Sequence, residues 1–182
     1  PLAMQALMNA AQIEQTVAEL ARRLATDTSI LPLDPDRTAL VGIRSRGEIL
    51  AARLAAVLAQ TTGVTLPVGA LDITMYRDDL AQRRAMVIPQ GTDMNFRLDG
   101  RVVVLVDDVL ETGRSVRAAL DALVDFGRPR LIRLLALADR GGREYPIAAD
   151  YVGVKLDADP RHKVVVHLRP MDVVDEVFLK SK

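Results

Sequence analysis

Apolar residues near the beginning of the chain recur at intervals of three and four positions. They are Ile13, Val17, Leu20 and Leu24. This spacing predicts an amphipathic helix over residues 10–25. Residues 31–38 contain two prolines and are predicted to form a loop. The apolar run that follows at residues 39–43 is typical of a buried strand, and residues 48–58 return to a helical pattern.

The clearest strand pattern lies in the second half of the chain. Residues 101–106 are almost continuously β-branched, which is typical of a parallel strand covered on both faces. A helix is predicted from about residue 115 to residue 126, and a further strand over residues 131–138. Strand, helix and strand joined by short connections form one βαβ unit. The sequence therefore predicts an α/β fold with a mainly parallel sheet flanked by helices on both sides.

The remaining regions have weaker patterns. Residues 68–75 predict another strand, and residues 163–168 predict the best of several short strands near the C-terminal end. Residues 76–99 are polar with little periodicity. Because a stretch of that length without regular structure is usually functional or mobile, we expect this region to serve the site.

Composition narrows the classes of protein that the chain can represent. Its 182 residues suit one domain, and its 24 basic and 24 acidic residues cancel, so bulk charge does not indicate a polyanion-binding protein. The absence of cysteine excludes disulfide frameworks and thiolate zinc sites, and two histidines nearly exclude a histidine-built metal centre. We expect neither a signal peptide nor a membrane segment, and we therefore expect a cytoplasmic protein.

Two acids and a turn rich in small residues follow the strongest strand. Asp107 and Asp108 stand at its carboxyl end, and residues 112–115 open the next helix. Ligands of open α/β sheets bind just outside such strand ends. The backbone N–H groups and the helix dipole at this turn favour phosphate, and Gly113 allows a close approach of the backbone. The acids suit either vicinal hydroxyls or a hard cation. The pattern thus indicates a sugar phosphate, the alternative being an ordinary strand-end turn followed by an ordinary helix start.

The segment 103–115 resembles the ribose-phosphate signature of type I phosphoribosyltransferases. Three further segments resemble successive motifs of the PyrR family: residues 41–47, 71–80 and 139–144. Members of that family regulate pyrimidine operons and retain uracil phosphoribosyltransferase activity. The resemblance covers nearly the whole chain and weakens before about residue 38.

This resemblance implies the fold and its division. It implies the type I phosphoribosyltransferase fold in a single domain over residues 1–182, with a mobile loop at residues 75–99. It also implies a small hood that, with the C-terminal strands, occupies about residues 140–182.

The resemblance further implies the chemistry and the residues that perform it. The substrates would be uracil and phosphoribosyl pyrophosphate (PRPP), the products UMP and pyrophosphate, and the cofactor Mg²⁺, held through the substrate by Asp107 and Asp108. These two acids and Arg77 are the catalytic candidates, Arg77 as the mobile-loop residue that closes on pyrophosphate. The substrate-binding candidates are Ser45, Arg46, Asp107, Asp108, Val109, Leu110, Glu111, Thr112, Gly113, Arg114, Ser115, Arg140 and Val164.

Several of these residues also have simpler interpretations. Ser45 and Arg46 follow a strand end, where amides and a guanidinium can meet pyrophosphate, but they also fit a plain turn with an exposed arginine. Arg77 also fits a solvated charge. Val164, which matches a family position lining the base pocket, also fits an ordinary core residue.

The family's second activity is the binding of a stem–loop in pyrimidine-operon leader mRNA, with UMP and UTP as effectors. The candidate contacts here are four arginines: Arg22, Arg23, Arg143 and Arg161. Three positions depart from the family pattern, since Ala18, Gly142 and Ala148 replace a hydroxyl, a histidine and an arginine. A homodimer or a higher homo-oligomer is expected. Three functions remain open: a bifunctional transferase and regulator, a UMP-sensing regulator with residual transferase activity, and a transferase for another base.

Overall fold

The protein is described by a computed structural model that covers residues 5–78 and 91–181. The strands in chain order are β1 (Gln5–Met8), β2 (Thr38–Ile43), β3 (Val68–Leu71), β4 (Val102–Leu110), β5 (Leu131–Asp139), β6 (Tyr151–Lys155), β7 (His162–His167) and β8 (Glu176–Ser181). The α-helices are α1 (Ala10–Thr26), α2 (Arg46–Thr62) and α3 (Arg114–Leu123), and single 3₁₀ turns lie at Thr74–Tyr76 and Val124–Phe126. None of the helices in these two ranges combines the length and the apolar character that a membrane crossing requires.

The centre of the fold is a parallel five-stranded sheet with the order β3-β2-β4-β5-β6. Its middle strand, β4, faces two cores, because successive side chains of a strand point to opposite faces. Val102, Val104 and Val106 pack in the core that contains α1 and α2. Val103 and Leu105 pack in the core that contains α3. The predicted α/β fold, with a parallel sheet covered on both faces, is confirmed.

A second, antiparallel sheet with the order β1-β8-β7, here called the small sheet, is separate from the parallel sheet in its hydrogen bonding and packs against the same core as α1 and α2. The strands that form the small sheet are not all from the region of the hood expected at about residues 140–182. β6 pairs with β5 and belongs to the parallel sheet, whereas β1, at the other end of the chain, completes the small sheet. Strand membership depends on pairing between residues that are distant in the sequence, and a local pattern does not contain that information.

The boundaries of two strands differ from prediction where they matter for the site. β4 does not end at residue 106 but continues to Leu110, because it pairs with β5 as far as Asp139. β3 ends at Leu71 rather than near residue 75. Of the loop expected at residues 75–99, residues 79–90 lie outside the described part of the chain. Among the residues after that gap, Asp93 forms a β-bridge with Ala70.

Candidate active site

A cavity of about 330 Å³ lies between the carboxyl-terminal part of β4 and strand β7 of the small sheet. Its walls come from four places in the sequence: Arg46 at the start of α2, Arg77, the run from β4 into α3, and β7. The last two contribute residues 107–113, 115 and 116, and residues 163–166. The structure therefore brings together most of the residues that the sequence indicated.

The two acids lie inside β4 and face this cavity. Asp107 is buried and Asp108 is half-buried. The Asp107 carboxylate accepts the N–H of Asp108 at 3.0 Å, and the Asp108 carboxylate accepts the N–H of Val109 at 2.9 Å. Burial raises the pKa of the Asp107 carboxyl well above its usual value, the negative charge of Asp108 adds to this effect, and the positive charge of Arg77 opposes it. The pair offers several acceptor oxygens at a partly buried wall of the cavity.

The turn that follows β4, here called the phosphate loop (residues 111–115), forms one wall of the cavity. Gly113 has a φ of +88°, in the left-handed region, and a Cβ there would lie 3.2 Å from the Cβ of Tyr145. The Thr112 hydroxyl accepts the N–H of Arg114 at 3.2 Å. Helix α3 begins at Arg114, so its first N–H groups lie at the loop, where they favour an anion.

Two guanidinium groups reach the cavity, those of Arg77 and Arg46. Arg77 donates to the hydroxyl of Ser115 at 3.0 Å, which places it beside the phosphate loop. Arg46 lines the cavity from the start of α2 and forms an ion pair with Asp172. The guanidinium groups and the carboxylates therefore lie on different walls of one cavity. This arrangement suits a ligand that carries both phosphates and hydroxyls.

Three predicted substrate contacts do not line the cavity: Ser45, Arg114 and Arg140. Ser45 is the residue before α2. Arg114 pairs instead with Asp78 at 3.0 Å and with Glu144. The side chain of Arg140 is only 4% exposed, because it extends into the protein and donates to Glu111 at 2.9 Å and to the carbonyl of His162 at 2.8 Å. The two arginines therefore support the site from outside the cavity lining, and substrate binding by Ser45 stays a prediction.

The residues that follow β5, here called the support segment (residues 140–147), hold the phosphate loop from behind. The N–H groups of Glu144 and Tyr145 both donate to the carbonyl of Thr112, at 2.9 and 3.0 Å. Arg143 donates to the carbonyl of Glu111 at 2.8 Å and to the carboxylate of Asp139 at 2.6 Å. The loop is therefore fixed before any ligand binds, which lowers the entropic cost of binding.

The contacts of Arg143 within its own chain change the role that we assign to this residue. The resemblance placed this residue among the RNA contacts, but its guanidinium is engaged by carbonyls and a carboxylate of its own chain. A side chain held in this way stabilises the site, and we revise its role accordingly.

The other RNA candidates lie on the surface. Arg22 is exposed and pairs with Glu19 at 2.7 Å, and Arg161 is 85% exposed and pairs with Asp159. Arg23 donates to the carbonyls of Val152 and Asp150 and so joins α1 to the start of β6. The three positions that depart from the family pattern are all exposed: Ala18, Gly142 and Ala148.

Sequence reasoning missed several cavity residues, of which Lys163 is chemically the most important. Lys163 is one of four lysines in the chain and directly precedes Val164 on β7, a position that could have drawn attention to it. Val164 itself is buried in the core and also lines the cavity. Val165 and Val166 extend the same apolar wall, and Val116 lines the cavity from α3.

The donor set suits a hard cation held mainly by a ligand. Among the described residues, no group of three or more histidine, cysteine or acidic side chains could form a metal cage. Asp107 and Asp108 provide carboxylate oxygens at one wall of the cavity. Mg²⁺ commonly binds through one or two carboxylates plus water and substrate phosphates, so the residues present fit this ion.

The fold and this cavity define a phosphoribosyl transferase domain. The model of that domain family matches residues 4–169 of the chain. Among solved structures, the hypoxanthine phosphoribosyltransferase of Trypanosoma cruzi is similar with a TM-score of 0.72 and 22% identity, covering 98% of this chain and 97% of that one. At that level of identity, the likeness shows the fold alone.

Sequence relatives make the family more specific. A protein of Syntrophobacter fumaroxidans is 42% identical over 175 residues, covering 96% of this chain and 92% of its own length. A protein of Chloroflexus aurantiacus is 54% identical over 140 residues, covering 77% of each chain. Both bear the name bifunctional protein PyrR. The chain belongs to the PyrR family of phosphoribosyltransferases.

Proposed function

We propose that this protein transfers phosphoribose from PRPP to uracil, giving UMP and pyrophosphate, and that it also regulates a pyrimidine operon by binding its leader mRNA. The observation that supports the first activity best is the cavity itself, which combines two carboxylates, a preorganised phosphate loop and two guanidinium groups. The relatives named bifunctional protein PyrR support the pairing of the two activities. The protein would act in the cytoplasm, as a homodimer or a higher homo-oligomer.

The proposed roles follow from the chemistry of each wall. The phosphate loop holds the 5′-phosphate of PRPP through N–H groups at the start of α3. Asp107 and Asp108 accept hydrogen bonds from the ribose hydroxyls. Arg46 and Arg77 bind the pyrophosphate, and the apolar side chains of β7 pack against the flat base.

In the proposed reaction, a ring nitrogen of uracil forms a bond to the anomeric carbon. The bond from that carbon to pyrophosphate breaks, the leaving oxygen keeps the electron pair, and the proton of the nitrogen passes to solvent water. Because negative charge grows on the leaving group, the guanidinium of Arg77 beside the phosphate loop stabilises the transition state more than the ground state. Bound Mg²⁺ would supply further positive charge to the pyrophosphate, and the carboxylates of Asp107 and Asp108 are the residues that would hold it.

An assay with a panel of bases distinguishes this proposal from two alternative functions. The purified protein, with PRPP and Mg²⁺, is offered uracil, hypoxanthine, guanine and adenine, and nucleotide formation is measured. We expect UMP with uracil and at least about a hundredfold lower turnover with the purines, a difference of about 2.7 kcal/mol. Turnover of a purine would identify a transferase for another base, and tight UMP binding with negligible turnover would identify a UMP-sensing regulator.

For RNA binding, we propose a surface that includes the exposed Arg22 on α1, with Arg161 as a further cation, whereas Arg23, like Arg143, is held by carbonyls of its own chain. Exposed guanidinium groups neutralise backbone phosphates without reading sequence. The exposed positions 18, 142 and 148 carry alanine or glycine, so they contribute no hydrogen bonds from their side chains. We therefore expect weaker binding than the full family motif would give, and UMP and UTP act as effectors from the cavity.

Replacement of Arg22 by alanine should weaken the binding of a pyrimidine-operon leader hairpin. The loss of one phosphate contact should also reduce the slope of log affinity against log salt by about one. Gel-shift titrations at several salt concentrations, with and without UMP, measure both quantities. If UMP strengthens RNA binding, linkage requires RNA to strengthen UMP binding by the same factor.

Arg37→Ala is the matched control for charge. Arg37 is also an exposed arginine paired with an acid three residues away, but it lies outside α1, next to the start of β2. Equal loss of RNA affinity in both variants would exclude the proposed surface. Failure of the wild-type protein to bind the hairpin at low salt would exclude RNA regulation.

A further inference from the structure

Two arginines of α2 hold the chain that follows β7, here called the clasp segment (residues 168–175). Arg46 donates through Nε and Nη2 to the carboxylate of Asp172, at 2.9 and 2.8 Å. Arg53 donates through Nη1 and Nη2 to the carboxylate of Asp175, at 2.6 and 3.0 Å. In each pair two N–H groups meet two carboxylate oxygens, the geometry that fixes a guanidinium most strongly.

The two pairs are also similar in burial and ionisation. The side chains of Arg46 and Asp172 are 30% and 14% exposed, and those of Arg53 and Asp175 are 28% and 16% exposed. The hydrogen bonds from Arg46 and Arg53 hold the pKa values of Asp172 and Asp175, respectively, below their usual value. Each carboxylate also accepts a backbone N–H of the clasp segment, from Leu168 and Arg169 respectively.

The two pairs differ in the position of the arginine relative to the cavity. Arg46 lines the cavity, and Arg53 does not. Asp172 therefore connects a cation of the cavity wall to Leu168, the residue that directly follows β7, the strand on the other side of the same cavity. Arg46 and Asp172 are separated by 126 positions, and no sequence motif links them.

We propose that Asp172 is a positioning residue for the transferase reaction, holding the Arg46 guanidinium in place for the pyrophosphate group of PRPP. The inference rests on the proposed function. Arg46 has five N–H groups in a rigid fork, and the pair uses one from Nε and one from Nη2, so that the others stay outside it. A guanidinium fixed before the substrate arrives loses less rotamer freedom on binding, and this lowers the free-energy cost of capturing pyrophosphate.

The test compares three variants in the full chain: Asp172→Asn, Asp172→Glu and Asp175→Asn. Asparagine keeps the shape of the side chain but removes the charge and one of the two acceptors. For Asp172→Asn we expect the KM for PRPP to rise about tenfold, the effect of losing one charge-assisted hydrogen bond, with kcat and the KM for uracil changed less than about threefold. Asp172→Glu, which restores the charge, should recover most of the loss.

Asp175→Asn serves as the matched control, because it removes a similar ion pair from the same clasp segment. We expect it to lower the thermal unfolding temperature about as much as Asp172→Asn does while leaving the KM for PRPP within about twofold of wild type. An equal rise in KM for both variants would mean that Asp172 acts only by holding the segment. A fall in KM for Asp172→Asn would mean that Asp172 competes with pyrophosphate for Arg46. Either result overturns the proposal.

Calorimetric titration of inorganic pyrophosphate with Mg²⁺ separates this inference from the proposed function, because it does not depend on turnover. We expect Asp172→Asn to weaken pyrophosphate binding about tenfold and Asp175→Asn to leave it unchanged. If the wild-type protein forms no UMP, but Asp172→Asn weakens pyrophosphate binding and Asp175→Asn does not, the proposed function fails. The role of Asp172 in positioning Arg46 for pyrophosphate then stands. If the wild-type protein forms UMP but both variants bind pyrophosphate equally well, only the positioning role fails.

Discussion

Replacing Asp107 and Asp108 together by asparagine should lower the rate of UMP formation at least about a thousandfold while the protein remains folded. The two carboxylates are the acceptors that face the cavity from β4, and asparagine amides neither carry their charge nor accept as many hydrogen bonds. Steady-state kinetics with PRPP and uracil measure the rate, and circular dichroism verifies the fold. A double variant that forms UMP at a normal rate would show that the site lies elsewhere.

Replacement of Asp107 should increase the stability of the folded protein, although it decreases activity. The pKa of Asp107 is raised in the folded protein, chiefly by burial, so ionisation of this group opposes folding. The penalty is absent below the unfolded pKa near 3.8 and grows as the pH rises toward the raised folded value. Asp107→Asn alone should therefore raise the unfolding temperature near neutral pH.

Thermal unfolding at several pH values, without ligands, checks this expectation. The advantage of Asp107→Asn over wild type should shrink as the pH falls toward 4, where the wild-type carboxyl is also uncharged. Asp121→Asn, on the exposed surface of α3, is the control for a change of charge without burial. A variant at Asp107 that is less stable than wild type near neutral pH would contradict the assigned burial penalty.

The parallel sheet could be predicted because its central strands are contiguous runs of mostly apolar residues. Residues 101–106 have this character because both faces of β4 are buried, and a local pattern records that fact directly. β1 could not be predicted, because its four residues are too few for a periodicity and it pairs with β8 from the other end of the chain. The end of β4 depended in the same way on its pairing with β5.

The site could be predicted where it is continuous in the sequence and not where it depends on side-chain direction. The run from Asp107 to Ser115 carries its own strand, turn and helix start, so its chemistry is local. Arg140 and Arg143 follow a strand end just as Arg46 does, but their guanidinium groups turn to Glu111 and not to the cavity. Only the fold decides this direction, because the carbonyls and carboxylates that accept these hydrogen bonds come from several elements.

Replacement of Arg77 by alanine should reduce kcat/KM for PRPP about a hundredfold or more while changing the affinity for UMP less than about threefold. Arg77 faces the cavity beside Ser115 and supplies a positive charge that stabilises a departing pyrophosphate. UMP has no pyrophosphate, so its binding should depend little on this residue. Steady-state kinetics and calorimetric titration of UMP measure the two quantities.

Two further measurements distinguish catalysis from structure. The positive charge of Arg77 lowers the pKa of Asp107, so in Arg77→Ala that pKa should rise further and the acid limb of the pH–rate profile should move to higher pH. Arg77→Lys keeps the charge and should restore the position of the acid limb, although it lacks the two-pronged geometry for phosphate. Equal losses of turnover and of UMP affinity in Arg77→Ala would instead place this residue in the nucleotide pocket or in the support of the fold.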